Sequence, residues 1–139
     1  MKFSNTLVLL VANSLALVGC GARSTDEEQV RELFTSAEAA AEDRDASDVL
    51  TFVADDYADA QGLDKMQLGQ FLRGYLLAHP KLELLVTIES LEFPGDGAAQ
   101  AVVTVTALEL ADPQRERIAV ELRRRHGEWR IVRADRARS

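Results

Sequence analysis

The sequence is poor in the residues that carry most protein chemistry, with one cysteine and two histidines among 139 residues. A single cysteine excludes a disulfide within the chain and argues against a zinc site built on cysteines. His79 and His126 form no metal-binding pair, and no glycine-rich nucleotide loop, HExxH or GxSxG motif is present. The sequence therefore lends little support to a metalloenzyme or a hydrolase, and it predicts no metal and no cofactor.

No apolar stretch is long enough to cross a bilayer. The mostly apolar residues 7–18 number about a dozen, whereas a membrane-spanning helix needs about 20. Their length, with Lys2 before them, is typical of a signal peptide. Leu17-Val18-Gly19-Cys20 then resembles the bacterial lipobox, in which an apolar pair and a small residue precede the modified cysteine. We therefore expect a lipoprotein precursor that is cut before Cys20 and lipidated on its thiol.

This interpretation divides the chain into three parts. Residues 1–19 are the signal peptide, residues 20–24 a lipidated tether, and residues 25–139 one folded domain, a length that suits a single core. The predicted location is the cell envelope, where the lipid on Cys20 holds the protein to a membrane and the domain faces the periplasm. Gly21 stands where an Asp would favour retention at the inner membrane, so the outer membrane is slightly favoured.

The first half of the domain has the apolar spacing of helices. Val30, Leu33 and Phe34 begin one such pattern, and Thr25 is a suitable N-cap before it. Asp64 can cap a third helix, which Pro80 ends. The predicted helices span about 26–42, 46–54 and 65–79.

From residue 82 onward the apolar residues alternate, as they do in half-buried strands. Leu91 lies on the opposite parity to Ile88, which predicts a bulge or bend near Glu89 and Ser90. Turn residues separate four strands of this kind. The fold class is therefore α+β, with three N-terminal helices packed on a four-stranded antiparallel sheet.

This order resembles the nuclear transport factor 2-like superfamily, also called SnoaL-like or cone-like. The likeness covers about 25–135 and is carried by the first helix, the connection at 55–57, the apolar stripe of the third helix and the ending at 127–132. It implies a strongly curved sheet wrapped around helices, with a cavity between them. Members include isomerases, dehydratases, transport factors and non-catalytic ligand binders, so the fold does not fix the function.

Enzymes of that superfamily often place an Asp–His or Asp–Tyr pair in the cavity for proton transfer. The resemblance makes Asp55 or Asp59 the candidate base, beside Tyr57 or His79. The alternative for the aspartates is turn and helix capping, and for His79 a capping position at the end of the helix. Phe71 and Tyr75 either line the pocket or belong to the core. The residues that we expect near a pocket are Asp55, Tyr57, Asp59, Phe71, Tyr75, His79, Glu89 and Arg133.

Charge is distributed unevenly along the chain. Residues 26–64 carry thirteen acids and two arginines, whereas residues 115–139 carry nine arginines and four acids. A basic stripe can face phosphates, but the interleaved acids and the predicted export argue against nucleic acid. We expect an internally paired sheet surface, with contact to membrane phosphates or an acidic partner as the alternative.

The leading hypothesis is an envelope lipoprotein with a non-catalytic domain. Its cavity would bind a small apolar or amphipathic ligand, or its sheet would dock an envelope protein. One alternative is a small-molecule enzyme of the isomerase or dehydratase type. Another is an assembly module that forms a homodimer through the sheet.

Overall fold

The computed structural model describes residues 24–108 and 112–138. Cys20, the predicted signal peptide and most of the predicted tether lie outside the described residues. Residues 109 and 110, to which the apolar pattern extends the predicted second strand, also lie outside them. In the described part of the chain, no helix is long and apolar enough to cross a membrane.

Three helices come first, and each begins at a side-chain cap. They are α1 (Asp26–Glu42), α2 (Ala46–Thr51) and α3 (Lys65–Ala78). The side chains of Thr25, Asp45 and Asp64 each accept a hydrogen bond from a backbone N–H three residues later. Such N–H groups have no partner within the helix, so the caps fix where the helices start. At Asp64 the bond is reciprocal, because its own N–H donates to the Gln67 side chain at 3.0 Å.

The four strands form one antiparallel sheet in the order of the sequence. The register of the first strand shifts between Ile88 and Ser90, which confirms the predicted bulge. Another shift, opposite Glu121 and Leu122, leaves Val132 out of the alternation of the last strand. The α+β class, with helices followed by a four-stranded antiparallel sheet, is confirmed. The strands are β1 (Leu84–Gly95), β2 (Ala98–Ala107), β3 (Gln114–Arg125) and β4 (Glu128–Arg136).

The two edges of the sheet are covered differently. Along β4, the Ala54 N–H donates to the Ile131 carbonyl at 2.9 Å, and the Ile131 N–H donates to the Phe52 carbonyl at 2.8 Å. This pairing explains why α2 ends before the predicted residue 54. Along β1, the Glu38 carboxylate of α1 accepts a hydrogen bond from the Val86 N–H at 2.8 Å.

The core lies between α1 and one face of the sheet, here called the inner face. Val30 of α1 and Leu122 of β3 are both 0% exposed. Small residues of β2, Ala99 and Ala101, face the helix in the same cluster. A second, smaller cluster joins the helices to the ends of the strands; its buried members are Ala46, Leu76, Leu82 and Ala107.

Gly74 is a glycine within α3 that the packing does not require. A Cβ built at Gly74 meets no atom within 4 Å, whereas one at Gly69 lies 2.7 Å from Leu50 Cδ1. Alanine is favoured over glycine inside a helix by about 1 kcal/mol. We therefore expect Gly74→Ala to raise the free energy of unfolding by about 0.5–1 kcal/mol, measured by urea denaturation. Gly69→Ala should gain less, because Leu50 must move, and the prediction is wrong if Gly74→Ala does not stabilise the protein.

Candidate functional site

An open pocket of about 650 Å³ lies between α3 and the ends of β2, β3 and β4. This volume is within the range of small-molecule sites. The wall is mostly apolar because the stripe of α3 faces the inner surface of the sheet without closing on it. The apolar residues of the wall are Ala41, Phe71, Leu72, Tyr75, Leu76, Leu82, Leu84, Val105, Ala107, Ile118 and Ala137.

Phe71 and Tyr75, which the sequence allows either in a pocket or in the core, both line this pocket. Their ring centroids are 6.1 Å apart. Phe71 is 58% exposed although it belongs to the apolar stripe of α3. A large aromatic side chain exposed on the wall of a concave site is available to a ligand.

Polar groups gather at the mouth of the pocket. Glu116 and Arg136 form an ion pair there. In the register of the sheet, Glu116 lies opposite Val105 and Arg136 lies opposite Ile118, so both are on the inner face. Neither residue is among those predicted near a pocket from the sequence, although Glu116 shares the parity of Ile118. Gln114, opposite Ala107, also lies on the inner face. Arg115 and Arg117 border the pocket as well, but they lie opposite Thr106 and Thr104, on the outer face of the sheet.

The predicted Asp–Tyr pair does form, but it lies outside the lining of the pocket. The Tyr57 hydroxyl donates to Asp59 Oδ2 at 2.9 Å, and Tyr57 is 3% exposed. Asp59 Oδ1 accepts hydrogen bonds from the N–H groups of Gln61 and Leu63, each at 3.0 Å. Burial, followed by the bond to Asp59, raises the pKa of Tyr57, so its phenol is a weaker acid than free tyrosine. These contacts order the connection between α2 and α3.

Asp55 and His79 also lie outside the lining of this pocket. Asp55 is exposed and pairs with Lys65 at 3.0 Å. His79 follows the last residue of α3, where its Nδ1 lies 2.8 Å from the Tyr75 carbonyl oxygen. The imidazole stacks on the Tyr75 ring, with 4.2 Å between centroids. His79 therefore packs against an aromatic residue of the pocket wall.

Glu89 and Arg133 lie on the outer face of the sheet, away from the pocket. Glu89 accepts hydrogen bonds from Arg117 Nε at 3.0 Å and from Arg117 Nη2 at 2.8 Å, and these bonds lower the pKa of Glu89. Arg133 pairs with Asp135. From the sequence we expected Glu89 and Arg133 near a pocket, whereas the structure places both on the outer face of the sheet.

The arginines of the last two strands are largely ion-paired. Two of the pairs, Arg124–Asp26 and Arg125–Asp56, connect β3 to the helical part of the domain. The pair with Arg125 lowers the pKa of Asp56. The other ion pairs are Arg117–Glu89, Arg130–Glu128, Arg133–Asp135 and Arg136–Glu116.

In the part of the chain that the structure describes, no three His, Cys, Asp or Glu residues gather as metal ligands would.

The element order, the antiparallel sheet and the pocket between helix and sheet together define the nuclear transport factor 2-like fold. No family model matches the chain, and no curated protein matches it by sequence. Solved structures do match it. A nuclear transport factor 2-like protein of unknown function from Shewanella oneidensis is 16% identical, with a TM-score of 0.66, over 79% of this chain and 97% of its own.

Two further neighbours show how varied the proteins with this fold are. A scytalone dehydratase-like protein from Novosphingobium aromaticivorans is 10% identical over 78% of this chain and 80% of its own, with a TM-score of 0.65. A protein from Thiobacillus denitrificans, similar to the calcium/calmodulin-dependent protein kinase type II association domain, is 18% identical over 78% and 94%, with a TM-score of 0.64. These likenesses establish the fold. The function has to be inferred from the residues of the pocket.

Proposed function

We propose that the mature chain is a lipid-anchored envelope protein whose domain binds a small apolar or amphipathic ligand in the open pocket. The observation that carries this proposal is Phe71, which is 58% exposed and lines the pocket. A ligand that covers this ring removes apolar surface from water, which favours binding by about 25 cal/mol per Å². The same contact on a flat surface would bury less of the ligand.

The distribution of polar groups in the pocket supports an amphipathic ligand. The wall between α3 and the sheet is apolar, whereas Glu116 and Arg136 lie together at the mouth. Small-molecule sites commonly combine a mostly apolar lining with a few placed polar groups. A molecule with an apolar body and a polar end would place the body against α3 and the end at the mouth.

The anchoring part of the proposal is supported by the N-terminal sequence. Gly19-Cys20 completes the lipobox-like segment, and the N-cap of α1, Thr25, follows five residues after the cysteine. A chain of five residues reaches at most about 18 Å when fully extended. A lipid on Cys20 would therefore hold the domain close to the membrane surface.

A small-molecule isomerase or dehydratase is the alternative function, and one structural neighbour is a scytalone dehydratase-like protein. Such chemistry needs a proton-transferring pair within reach of the substrate. The Tyr57–Asp59 pair lies outside the lining of the pocket, and the carboxylate that does line it, Glu116, is paired with Arg136. The pocket residues therefore support binding better than proton transfer.

A homodimer through the sheet, or an envelope protein docked on it, stays a prediction. The outer face carries the Glu89–Arg117 pair and the exposed side chain of Leu85. Native mass spectrometry of the mature domain would report its oligomeric state and any co-purifying ligand together. A dimer without ligand would favour the assembly role.

Val105 allows a direct test of the pocket. It lines the pocket, whereas Val102 lies on the opposite face of the same strand. We expect Val105→Trp to weaken binding of the apolar dye 1-N-phenylnaphthylamine at least tenfold, because indole fills the site, and Val102→Trp to change it less than twofold. The measurement is a fluorescence titration of a chain that starts at Gly21, which keeps both core clusters (residues 30–134).

Circular dichroism of both tryptophan variants checks that they fold. The proposed function is wrong if the folded wild-type domain does not bind the dye. It is also wrong if folded Val105→Trp binds the dye as tightly as the wild type does.

A further inference from the structure

A groove of about 400 Å³ runs between α1 and the edge of β1. It shares no lining residue with the pocket between α3 and the sheet. In the described part of the chain, β2 is the only strand that pairs with β1, so the other side of β1 is an edge of the sheet. The lining residues used below are Phe34 and Glu38 of α1 and Val86 and Ile88 of β1.

The edge of β1 offers backbone groups to an added strand. The Val86 N–H points away from β2, since it donates to the Glu38 carboxylate at 2.8 Å. Alternate residues of an antiparallel strand direct their N–H and C=O groups to the same side. The register from Val86 to Ile88 is unbroken, so Ile88 directs its N–H and C=O to the same edge. Peptide recognition by strand addition uses backbone groups of this kind.

Glu38 makes this edge selective for charge. Its side chain is partly buried. Among the described residues it has no cationic partner, and the nearby Arg31 pairs with Glu27 at 3.0 Å. A strand carbonyl that takes the Val86 N–H leaves the carboxylate without its hydrogen bond, which is costly for a partly buried charge.

A strand that brings its own cation gives the carboxylate a new partner. The whole of α1 carries six acids and one arginine, so its field also favours a cationic partner. A strand without a cation would leave Glu38 unpaired. The same carboxylate therefore opposes most strands and accepts a basic one.

The groove also selects a second side chain. Residues two positions apart in a strand lie on one face, so the residues of an added strand beside Val86 and Ile88 both enter the groove. The first meets Glu38. The second meets the apolar part of the groove, where Ile88 packs against the cluster that contains Phe34.

We infer that the edge of β1 binds an extended polypeptide segment that carries a lysine or arginine and an apolar residue two positions apart. The segment extends the sheet beside Val86 and Ile88, its cation pairs with Glu38, and its apolar side chain packs at Phe34. This interaction uses a surface separate from the ligand pocket and does not rest on the proposed function.

Nuclear magnetic resonance titration of the isotope-labelled chain that starts at Gly21 tests the inference. The probe is the peptide acetyl-Ser-Thr-Lys-Thr-Val-Thr-Ser-amide, and a second peptide has glutamine in place of the lysine. We expect the lysine peptide to bind at least fivefold more tightly than the glutamine peptide. Bound peptide should also slow exchange of the Ile88 amide hydrogen at least fivefold, because that N–H becomes paired.

Two variants of α1 separate the role of Glu38 from the general charge of the helix. Glu38→Gln keeps an acceptor for the Val86 N–H and removes the charge, so it should bind the two peptides equally within twofold. Glu32→Gln is the matched control, because Glu32 is exposed on the same helix and does not line the groove. This control should keep the fivefold preference for the lysine peptide.

Four results would overturn the inference. They are no binding of the lysine peptide, a preference for lysine that persists in folded Glu38→Gln, a preference that is lost in folded Glu32→Gln, and unchanged exchange at Ile88 when the peptide is bound. A free domain that is a dimer with the Ile88 amide already protected would also overturn it, because a second copy would then occupy the edge. The dye titration of the pocket is independent of all these results.

Discussion

Replacing Cys20 with alanine is expected to abolish lipidation of the chain completely. Cys20 is the only cysteine, and its thiol is the only good nucleophile at the end of the signal-like segment. The wild-type chain, expressed at full length in a Gram-negative host, should incorporate an alkyne-labelled fatty acid. Its intact mass should be that of a chain beginning at Cys20 with a diacylglyceryl group attached.

A matched control lies within the same segment. Ser14→Ala changes the apolar stretch and leaves Leu17-Val18-Gly19-Cys20 intact, so it should be lipidated like the wild type. Several acyl chains together hold a protein almost permanently in a membrane. An unmodified thiol on Cys20 of the wild-type protein would contradict the proposed lipid anchor. The pocket would then belong to a protein that is not lipidated.

Leu122→Ala is expected to remove a large part of the stability of the domain. Leu122 is 0% exposed and packs in the cluster that joins α1 to β2, β3 and β4. Truncating such a leucine leaves a cavity and lowers the free energy of unfolding by about 3–4 kcal/mol. Domains of this size have about 5–15 kcal/mol in total. Urea denaturation followed by the fluorescence of Trp129, the only tryptophan, measures the loss.

Leu85→Ala makes the same change of side chain at an exposed position. Leu85 is on β1 and is 51% exposed. Its truncation should lower the free energy of unfolding by less than about 1 kcal/mol. Equal losses for the two variants would show that the inner face of β3 is not the centre of the core.

The features predicted well from the sequence are those fixed by neighbouring residues. The caps at Thr25 and Asp64 set the starts of two helices. The change of parity at Glu89 located the bulge in β1, because alternation is a property of a single strand. The end of α2 was predicted too late, because the residues after Thr51 pair with β4, which is distant in sequence.

The candidate site shows the limit of such reasoning. Strict alternation from Trp129 and Ile131 places Arg133 on the inner face. The register shift at Val132 reverses the parity, so Arg133 faces outward and Arg136 faces the pocket. This bulge in β4 leaves no clear mark in the apolar pattern of the sequence. It is recognised only from the pairing of β4 with β3.

The residues predicted near the pocket also fall into two groups: those that a local pattern places correctly and those whose position depends on distant parts of the chain. Phe71 and Tyr75 follow from the stripe of one helix and do line the pocket. The Tyr57–Asp59 contact follows from two neighbouring residues, but its position relative to the pocket depends on how the connection packs against β4, near the Ala134 carbonyl. The pocket wall is assembled from several elements, which no local pattern describes.

The unequal cover of the two sheet edges has a consequence for growth of the sheet by added strands. The chain itself occupies the β4 side with residues 52–58. On the β1 side, an incoming strand that pairs with Val86 must first take the place of the Glu38 carboxylate on its N–H. Addition of a strand at β1 is therefore opposed by a charged residue of α1, whereas at β4 the positions beside Ile131 and Val132 are already taken by the chain itself. Native proteins protect strand edges against unwanted pairing with inward-pointing charges of this kind.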